Sequence, residues 1–341
     1  MKTLFDETTI GQLPVKNRFV RAAVADQTSD GYVGDSVVET YERLAASGIG
    51  SIVTGITLVD GEEKFMPVAA LCSDSFVPGH RRVTEAVHRH NCVILAQLVY
   101  IGSYVFTQGN MGGLVALAPS SVANLVTGTL AREMRAGEIR MAQDKFAETA
   151  KRAKAAGYDG VEIHAAHGFL LSQFLTPHYN QRMDLYGGSA ENRARMVLET
   201  YSAIRNAVGP GYPVWIKLNS MDGIPDGISN NDFKYVCRRL TNLGIDAIEV
   251  SGNWSPLALK SGAYFKEAAA AIAEENDVSV ILTGGNRKVS EMTSILNSTG
   301  IGFFGMARPL IRNHLLIEKF RRELKGELEE ERPPLAIPSL S

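Results

Sequence analysis

The segment Gly160-Val161-Glu162-Ile163-His164-Ala165-Ala166-His167-Gly168-Phe169-Leu170-Leu171 begins with a short β-branched run and continues into polar and small residues. Residues 160–163 are predicted to form a strand, and seven similar runs occur elsewhere in the chain. Most of these runs are apolar throughout, as expected of parallel strands that are buried on both faces. The seven other predicted strands are 18–23, 51–54, 92–97, 214–218, 247–250, 280–283 and 302–306.

Amphipathic stretches between these strands predict helices, and glycines follow several of them at the usual position of a left-handed C-cap. The predicted helix starts are Asp35 or Ser36 (running to Ser47), Ser189 (running to Val208), Asn230 or Asn231, and a point near Ser290; the capping glycines are Gly48, Gly157 and Gly244.

Eight strands alternating with helices over about 310 residues predict an α/β fold, a single (β/α)8 TIM barrel. The predicted barrel covers residues 1–322, and a charged, then Pro-rich tail covers 323–341. A doubly wound open sheet has the same alternation and is the structural alternative, although no G-x-G-x-x-G follows the first strand. A long Gly-rich loop, about 98–137, is expected to act as a lid or a substrate wall.

The composition excludes several classes of protein. The net charge of −2 gives no sign of a nucleic-acid or anionic-membrane partner, and no apolar run approaches the roughly 20 residues that span a bilayer. The N-terminus lacks an apolar signal core, and the three cysteines form no CxxC pair, which argues against disulfides, iron–sulfur clusters and structural zinc. A cytoplasmic location is therefore expected.

The C-terminal ends of barrel strands are where active sites of this fold lie. Small residues at these ends would let a flat cofactor approach the backbone closely, and Gly285, Ala307 and Arg308 could hold a phosphate. The residues at the predicted strand ends are Ala23, Val24, Ala25, Gly55, Gln97, His164, Lys217, Ser251, Gly252, Gly284, Gly285, Ala307 and Arg308.

His164 and His167 stand three residues apart, directly after a strand. Two N–H donors that converge on one carbonyl oxygen would polarise an enone and stabilise the developing enolate. A metal site is the rival interpretation, but no carboxylate or third histidine is evidently placed to complete it, so no metal is predicted. A purely structural role for the pair is a further alternative.

Two segments carry a resemblance to a known family. The run 162–168 (EIHAAHG) and the run 180–193 (NQRMDLYGGSAENR) resemble the signature of the old yellow enzyme family, and the likeness extends from about Leu4 to Phe320. It is strongest to the shorter bacterial members. The resemblance implies an FMN-binding barrel that takes electrons from NADH or NADPH. In the second run, a Gly-Gly turn is expected to lead into a capped helix, with Glu191 and Arg193 fixing the loop.

The resemblance also implies roles for individual residues. The backbone from Ala22 through Ala23 and Val24 to Ala25 would line the flavin, and Gly55 would lie close to its ring. Gln97 would bind the pyrimidine edge, and the Lys217 cation would lie where charge builds up on reduction. Gly284, Gly285, Ala307 and Arg308 would surround the phosphate. His164 and His167 would hold the substrate oxygen, and the other predicted substrate contacts are Phe169, Tyr100 and Tyr104.

The chain departs from the family pattern at several positions. Phe169 replaces the tyrosine that usually protonates the substrate, Ala25 replaces a cysteine or threonine, and Lys217 stands where arginine is frequent. Tyr100 and Ser103 replace a commonly seen histidine and arginine. Because Phe169 cannot protonate the substrate, the proton could come from water or from the hydroxyl of Tyr100 or Tyr104. The catalytic candidates are therefore His164, His167 and Tyr100.

Three functions follow as hypotheses. The first is reduction of the C=C bond of an α,β-unsaturated carbonyl compound by an FMN-dependent NAD(P)H oxidoreductase. The second keeps FMN but reduces quinones, nitro groups or oxygen, or oxidises or demethylates a substrate. The third is a barrel lyase in which Lys217 forms a Schiff base. In each case the expected partner is a small molecule, and the sequence leaves a homo-oligomer open.

Overall fold

Eight parallel strands close into a barrel because the first of them pairs with both the second and the last. The computed structural model describes residues 1–61, 67–105, 115–253 and 262–327. The barrel strands are β3 (Phe19–Arg21), β4 (Ser51–Leu58), β6 (Val93–Val99), β9 (Gly160–Ala165), β10 (Val214–Asn219), β11 (Ala247–Ser251), β12 (Ser279–Thr283) and β13 (Phe303–Met306). Their hydrogen-bonded order is β3-β13-β12-β11-β10-β9-β6-β4, and Val20 and Arg21 of β3 align with Ser51 and Ile52 of β4 to close the barrel.

All eight predicted strands are therefore present, and the (β/α)8 barrel is confirmed over the open sheet. In the described ranges five short strands lie outside the barrel. The strands β1 (Thr8–Ile10) and β2 (Leu13–Val15) form a hairpin, β5 (Ala69–Ala70) pairs in parallel with the end of β4, and β7 (Leu117–Ala118) pairs with β8 (Arg132–Glu133).

Helices follow the barrel strands and surround them. They are α1 (Asp35–Ala46), α2 (Val77–His88), α3 (Ala136–Ala155), α4 (Leu170–Leu175), α5 (Ala190–Val208), α6 (Asn230–Asn242), α7 (Lys266–Glu275), α8 (Val289–Ser298), α9 (Arg308–Arg312) and α10 (Leu316–Leu324), with a 3₁₀ turn at Asp74–Phe76. Within the described ranges, none of these helices is long and apolar enough to cross a membrane.

The helix ends confirm most of the sequence interpretation. Ser189 caps α5 by accepting from the Asn192 amide, while α6 begins at Asn230 but is capped by Ser229. The expected cap of α1 at Asp35 or Ser36 is wrong, because Gly34 occupies the cap position and no side chain bonds there. The three predicted C-capping glycines have φ of 84°, 88° and 87°.

The closed end of the barrel interior is apolar. The hairpin β1–β2 supplies Ile10 and Val15 to this cluster, and both are buried. The strands supply the other members, which are Val20, Val53, Leu95, Trp215, Ala247, Ile281 and Phe303. Trp215 is fully buried and is the largest side chain in this group.

The signature run forms a turn that is fixed by arginines. Arg182 donates to the carbonyls of Pro119 and Met134 at 2.8 and 2.7 Å, which joins this turn to the segment that carries β7 and β8. Arg193 donates to the Gly188 carbonyl and pairs with Asp232 at 2.6 Å, as its predicted role requires. The expected role of Glu191 is wrong, because it is exposed and makes no hydrogen bond within the described chain.

The predicted boundaries need adjustment at two places. The helix α10 runs to Leu324, two residues into the predicted tail, and residues 328–341 lie outside the described residues. The predicted loop 98–137 contains the end of β6, the strands β7 and β8 and the start of α3. Residues 106–114 of that loop lie outside the described residues.

Replacing Trp215 with alanine should lower the free energy of unfolding by about 3–5 kcal/mol, because the barrel interior cannot collapse around the lost ring. Urea unfolding at fixed FMN concentration measures the change. The matched control is Met183→Ala, since Met183 is 98% exposed and its loss should cost less than about 0.5 kcal/mol. Equal effects of the two substitutions would contradict this account of the core.

Candidate active site

A cavity of about 570 Å³ opens at the C-terminal ends of the strands. This volume is ordinary for a cofactor or small-ligand site. Nine of the predicted site residues line it: Ala22, Ala23, Tyr104, His167, Lys217, Gly284, Gly285, Ala307 and Arg308. Seven predicted residues do not line it: Val24, Ala25, Gly55, Gln97, Tyr100, His164 and Phe169.

One end of the cavity combines glycines in left-handed backbone conformations with arginines. Gly284 and Gly285 have φ of 122° and 84°. A Cβ on Gly285 would lie 1.8 Å from the Gly262 carbonyl oxygen, so no other residue fits there. Arg308 begins α9 at this end, and Arg287 and Arg312 also line the wall. Small backbone-exposing residues beside guanidinium groups suit a phosphate monoester.

Lys217 lies on the cavity wall as part of a buried ion pair. Its Nζ is 2.7 Å from Oε1 of Glu249, and the two side chains are 3% and 0% exposed. They face each other because Lys217 of β10 is in register with Glu249 of β11. The side-chain nitrogen is thus held by a carboxylate, whereas a Schiff-base nucleophile must offer its nitrogen to a carbonyl carbon. The geometry therefore disfavours the lyase hypothesis.

Gln97 contacts a carboxyl group below the cavity. Its Nε2 donates to Oε2 of Glu162 at 2.7 Å, and its backbone amide donates to Thr54 Oγ1 at 3.1 Å. The Gln97 side chain is buried. One N–H of the side-chain amide is thus bound to Glu162, which leaves the amide oxygen and the second N–H for the predicted contact with the flavin.

The two histidines lie together at the end of β9. Their ring centroids are 5.2 Å apart, and His164 also lies 4.9 Å from the ring of Phe169. His167 lines the cavity, whereas the 3% exposed His164 lies behind it. The Nδ1 atom of His164 has no hydrogen-bond partner in the described part of the protein. A buried N–H or lone pair without a partner is costly unless a ligand satisfies it.

Both imidazoles are held neutral by their surroundings. Burial lowers the pKa of His167 to about 3, and the Lys217 ammonium adds to the effect. The pKa of His164 is also far below its usual range, first because of burial and then because of His167 and Lys217. At neutral pH each ring therefore carries one N–H and no charge.

Three polar residues hold His167 in an unusual conformation. Its φ is +58°, rare for a residue with a side chain. The His167 amide donates to Asn219 Oδ1 at 3.2 Å, and Asn219 in turn donates to Asp222 at 2.8 Å. The His167 Nε2 lies 3.0 Å from the Ser251 hydroxyl, which can match either tautomer of the ring by donating or accepting.

The residues after β3 and at the bend of β4 pack on one another rather than on the cavity. A Cβ on Gly55 would lie 2.4 Å from the Val24 carbonyl oxygen, so glycine is required where the two segments cross. The Gly55 amide lies 2.7 Å from the Tyr41 hydroxyl, and Ala25 is exposed. Val24, Ala25 and Gly55 therefore stay predictions as cofactor contacts, whereas Ala22 and Ala23 reach the cavity wall.

The two tyrosines that could replace the missing proton donor occupy different places. Tyr100 is 5% exposed, belongs to the hydrophobic core and does not line the cavity, which disfavours it as a proton donor. Tyr104 lines the cavity, and its ring centroid is 5.2 Å from that of Phe169. A tyrosine hydroxyl is thus present beside the phenylalanine, supplied by a different segment of the chain.

Comparison with known proteins now gives the family. The sequence pattern of the NADH:flavin oxidoreductase / NADH oxidase family matches residues 3–327. The chain belongs to this family. The resemblance to old yellow enzymes and the expectation of FMN, with NADH or NADPH as reductant, are thereby confirmed.

Individual relatives differ in length and in name. The chain is 33% identical to a metal reductase of Desulforamulus reducens, over 98% of this chain but 50% of that protein. It is 30% identical to an NADPH dehydrogenase of a Geobacillus species, over 91% of each. Morphinone reductase in complex with tetrahydroNAD superimposes with a TM-score of 0.82 at 25% identity, over 98% of this chain and 93% of the other. The chain thus spans about half the length of some curated relatives that it matches.

The residues around the cavity fit FMN. The cavity is large enough, and one end carries the glycines and arginines that suit a phosphate. Lys217 lies on the cavity wall and supplies the cation that the family resemblance implies beside the flavin. Among the described residues His164 Nδ1 has no hydrogen-bond partner, and a ligand in the cavity would satisfy it.

Sequence reasoning missed several residues of this region: Glu162, Asn219, Asp222, Glu249, Thr283, Arg287 and Arg312. A usable signal existed for two of them. Glu162 and Glu249 are charged residues inside otherwise apolar strands, where a charge is retained only if it is paired. Asn219 and Asp222 gave no such signal, because they lie at the end of β10 and in the loop after it, where polar residues are common.

The neutral state of His167 predicts a pH dependence of stability. With a pKa near 3 when folded and about 6.5 when unfolded, the unfolded chain binds one more proton between these values. The free energy of unfolding should therefore fall as the pH drops below about 6.5, by up to about 1.4 kcal/mol per pH unit from this residue. Urea unfolding with excess FMN from about pH 7.5 to about pH 5 should show a shallower slope for His167→Asn than for the wild type. Identical slopes would contradict the neutral state.

Proposed function

We propose that this chain reduces the C=C bond of α,β-unsaturated carbonyl compounds as an FMN-dependent NAD(P)H oxidoreductase. The observation that carries the proposal is the histidine pair: two neutral imidazoles with centroids 5.2 Å apart, one lining the cavity and the other with a partnerless Nδ1. Two neutral N–H donors suit a carbonyl oxygen on which negative charge develops. When bound, FMN accepts hydride from the nicotinamide and passes it to the second substrate.

The chain's own residues bind and orient the substrate. His164 and His167 hold its oxygen, and the Asn219–Asp222 pair with Ser251 keeps His167 in place. In this proposal Arg308, Gly284, Gly285 and Ala307 hold the cofactor phosphate, and Ala22, Ala23, Gln97 and Lys217 contact the flavin. Orientation of this kind raises the rate because it fixes the reacting atoms before the reaction begins.

Tyr104 is proposed as the proton donor in place of the residue at position 169. It lines the cavity beside Phe169, whereas Tyr100 is buried in the core. Part of the cavity wall is apolar and includes Leu125, Val126, Tyr179 and Ile224. We therefore expect the substrate to carry an apolar or aromatic substituent next to the activated alkene.

A second function has an observation in its favour. Phe169 provides no proton, and one relative of this chain is named a metal reductase. Acceptors that need no proton on carbon, such as quinones, nitro compounds or metal ions, would react in the same cavity without Tyr104.

Titration of the oxidised holoenzyme with a simple phenol should produce a long-wavelength charge-transfer band, because a phenolate held by the histidine pair would lie against the flavin. His164→Ala and His167→Ala should each weaken phenol binding by about tenfold or more. His314→Ala serves as the matched control, since His314 is exposed on the surface. Absence of the band in the wild type would mean that the oxygen site is built differently.

Tyr104→Phe should lower the rate of enone reduction by about 10²–10⁴-fold, the usual contribution of a positioned acid, and should leave quinone reduction unchanged. Stopped-flow reoxidation of the reduced enzyme by an enone and by a quinone measures both rates. Tyr100→Phe is the control and should affect neither. If Tyr104→Phe reduces enones at the wild-type rate, solvent supplies the proton; if the wild type reduces only quinones, the second function replaces the first.

A further inference from the structure

A buried cluster of polar and ionisable side chains lies below the cavity. It consists of Gln97, Glu162, Lys217 and Glu249, which are between 0% and 3% exposed. Lys217 and Gln97 have proposed roles toward the cofactor, but the two glutamates have none. Carboxyl groups this deeply buried are rare unless they are paired.

The strand register forms two pairs of side chains, and Glu162 and Glu249 lie within hydrogen-bonding reach of each other, which joins the pairs. Lys217 lies opposite His164 on one neighbouring strand and opposite Glu249 on the other. Gln97 lies opposite Glu162. The resulting contacts are the 2.7 Å ion pair of Lys217 with Glu249 and the 2.7 Å hydrogen bond from Gln97 to Glu162.

The charges of the cluster do not balance if every group is ionised. Two carboxylates against one ammonium would leave a net negative charge in a site that water does not reach, which is strongly unfavourable. One shared proton removes this charge, as in other buried carboxyl pairs. The Oε1 atom of Glu162 has no partner among the groups that the structure describes, so it has room for that proton.

The directions of the two pKa shifts agree with this count. Burial, and then the charge of Glu249, raises the pKa of Glu162 well above its usual range. Burial also acts to raise the pKa of Glu249, but the Lys217 ammonium and the neighbouring Glu162 side chain outweigh it and lower that pKa. The proton therefore belongs mainly to Glu162.

We propose that Glu162 and Glu249 share one proton and act as positioning residues for Lys217. The two glutamates and the lysine then carry no net charge together, so that the flavin lies next to a paired cation rather than a free one. Glu249 is the ionised partner that keeps the Lys217 ammonium at the cavity wall, and protonated Glu162 bonds to both Gln97 and Glu249. This inference rests on the proposed role of the cavity as the FMN site and is independent of the alkene chemistry.

The cluster has a consequence for the electrostatics of the cofactor. A free ammonium at the wall would strongly favour reduced, anionic flavin, whereas an ammonium paired with Glu249 favours it less. Loss of one glutamate alone should have a small effect, because the remaining carboxyl can ionise and balance Lys217. Loss of both glutamates leaves Lys217 unpaired.

Infrared spectroscopy of the purified holoenzyme at neutral pH tests the shared proton. The wild type should show a protonated-carboxyl C=O band that shifts in D₂O. The band should be absent from Glu162→Gln, which lacks the protonated group, and from Glu249→Gln, in which Glu162 ionises beside Lys217. Glu191→Gln is the control, since Glu191 is exposed, and it should retain the band.

The midpoint potential of bound FMN tests the charge effect. Relative to the wild type, Glu162→Gln/Glu249→Gln should favour the reduced form at least tenfold, a shift of about 30 mV for a two-electron couple. Each single variant should shift it less than the double variant does. Glu249→Asp, which keeps the charge, should stay closest to the wild type.

Each result decides one question. A wild-type spectrum without the band, or a band that survives in both single variants, overturns the shared proton even if the double variant fails to fold. An unchanged potential in the double variant overturns the charge effect. A protein that binds no FMN refutes the proposed function, while the infrared band still tests the glutamate pair.

Discussion

Closure of the barrel through the pairing of β3 with β4 is the constraint on which the rest of the structure depends. Once the sheet is closed, every second side chain of each strand points into an interior that is inaccessible to water. At the hairpin end this interior is filled by apolar groups around Trp215. At the other end the inward positions carry Glu162, His164, Lys217 and Glu249. These buried groups depend on one another, on Gln97 and on a ligand in the cavity for their polar partners.

The same closure explains why the cation in the site is paired with a carboxylate. The register puts one ammonium between a histidine and a carboxylate, so that Lys217 pairs with Glu249. Burial is the main reason that the pKa of the neighbouring His164 is low, and His167 and the Lys217 ammonium add to it. Neutral histidines and a paired cation are two results of a single arrangement. A change at one of these residues would therefore alter the protonation of the others, and their energetic contributions should not be additive.

Loops with special backbone conformations complete the cavity above this layer. Gly285 is required by its contact with the Gly262 carbonyl, and the strained backbone of His167 is stabilised by Asn219. Strain of this kind persists only where surrounding contacts fix it, and it often marks functional sites. Phe169 lacks the hydroxyl that the family usually has at its position, and the ring of Tyr104, from another segment of the chain, lies beside it.

The sequence by itself determined the eight strands, most helix ends and the family, and it singled out His167 and the glycines and Arg308 that line the cavity. These features follow from local patterns, such as apolar runs, capping residues and the signature around Tyr186. Only the tertiary structure decided that Tyr104 rather than Tyr100 lines the cavity, that Gly55 supports a chain crossing, and that Glu162 and Glu249 join Gln97 and Lys217. The physical reason is that contacts between strands depend on register and closure, which bring together residues far apart in the chain and leave no local trace in the sequence.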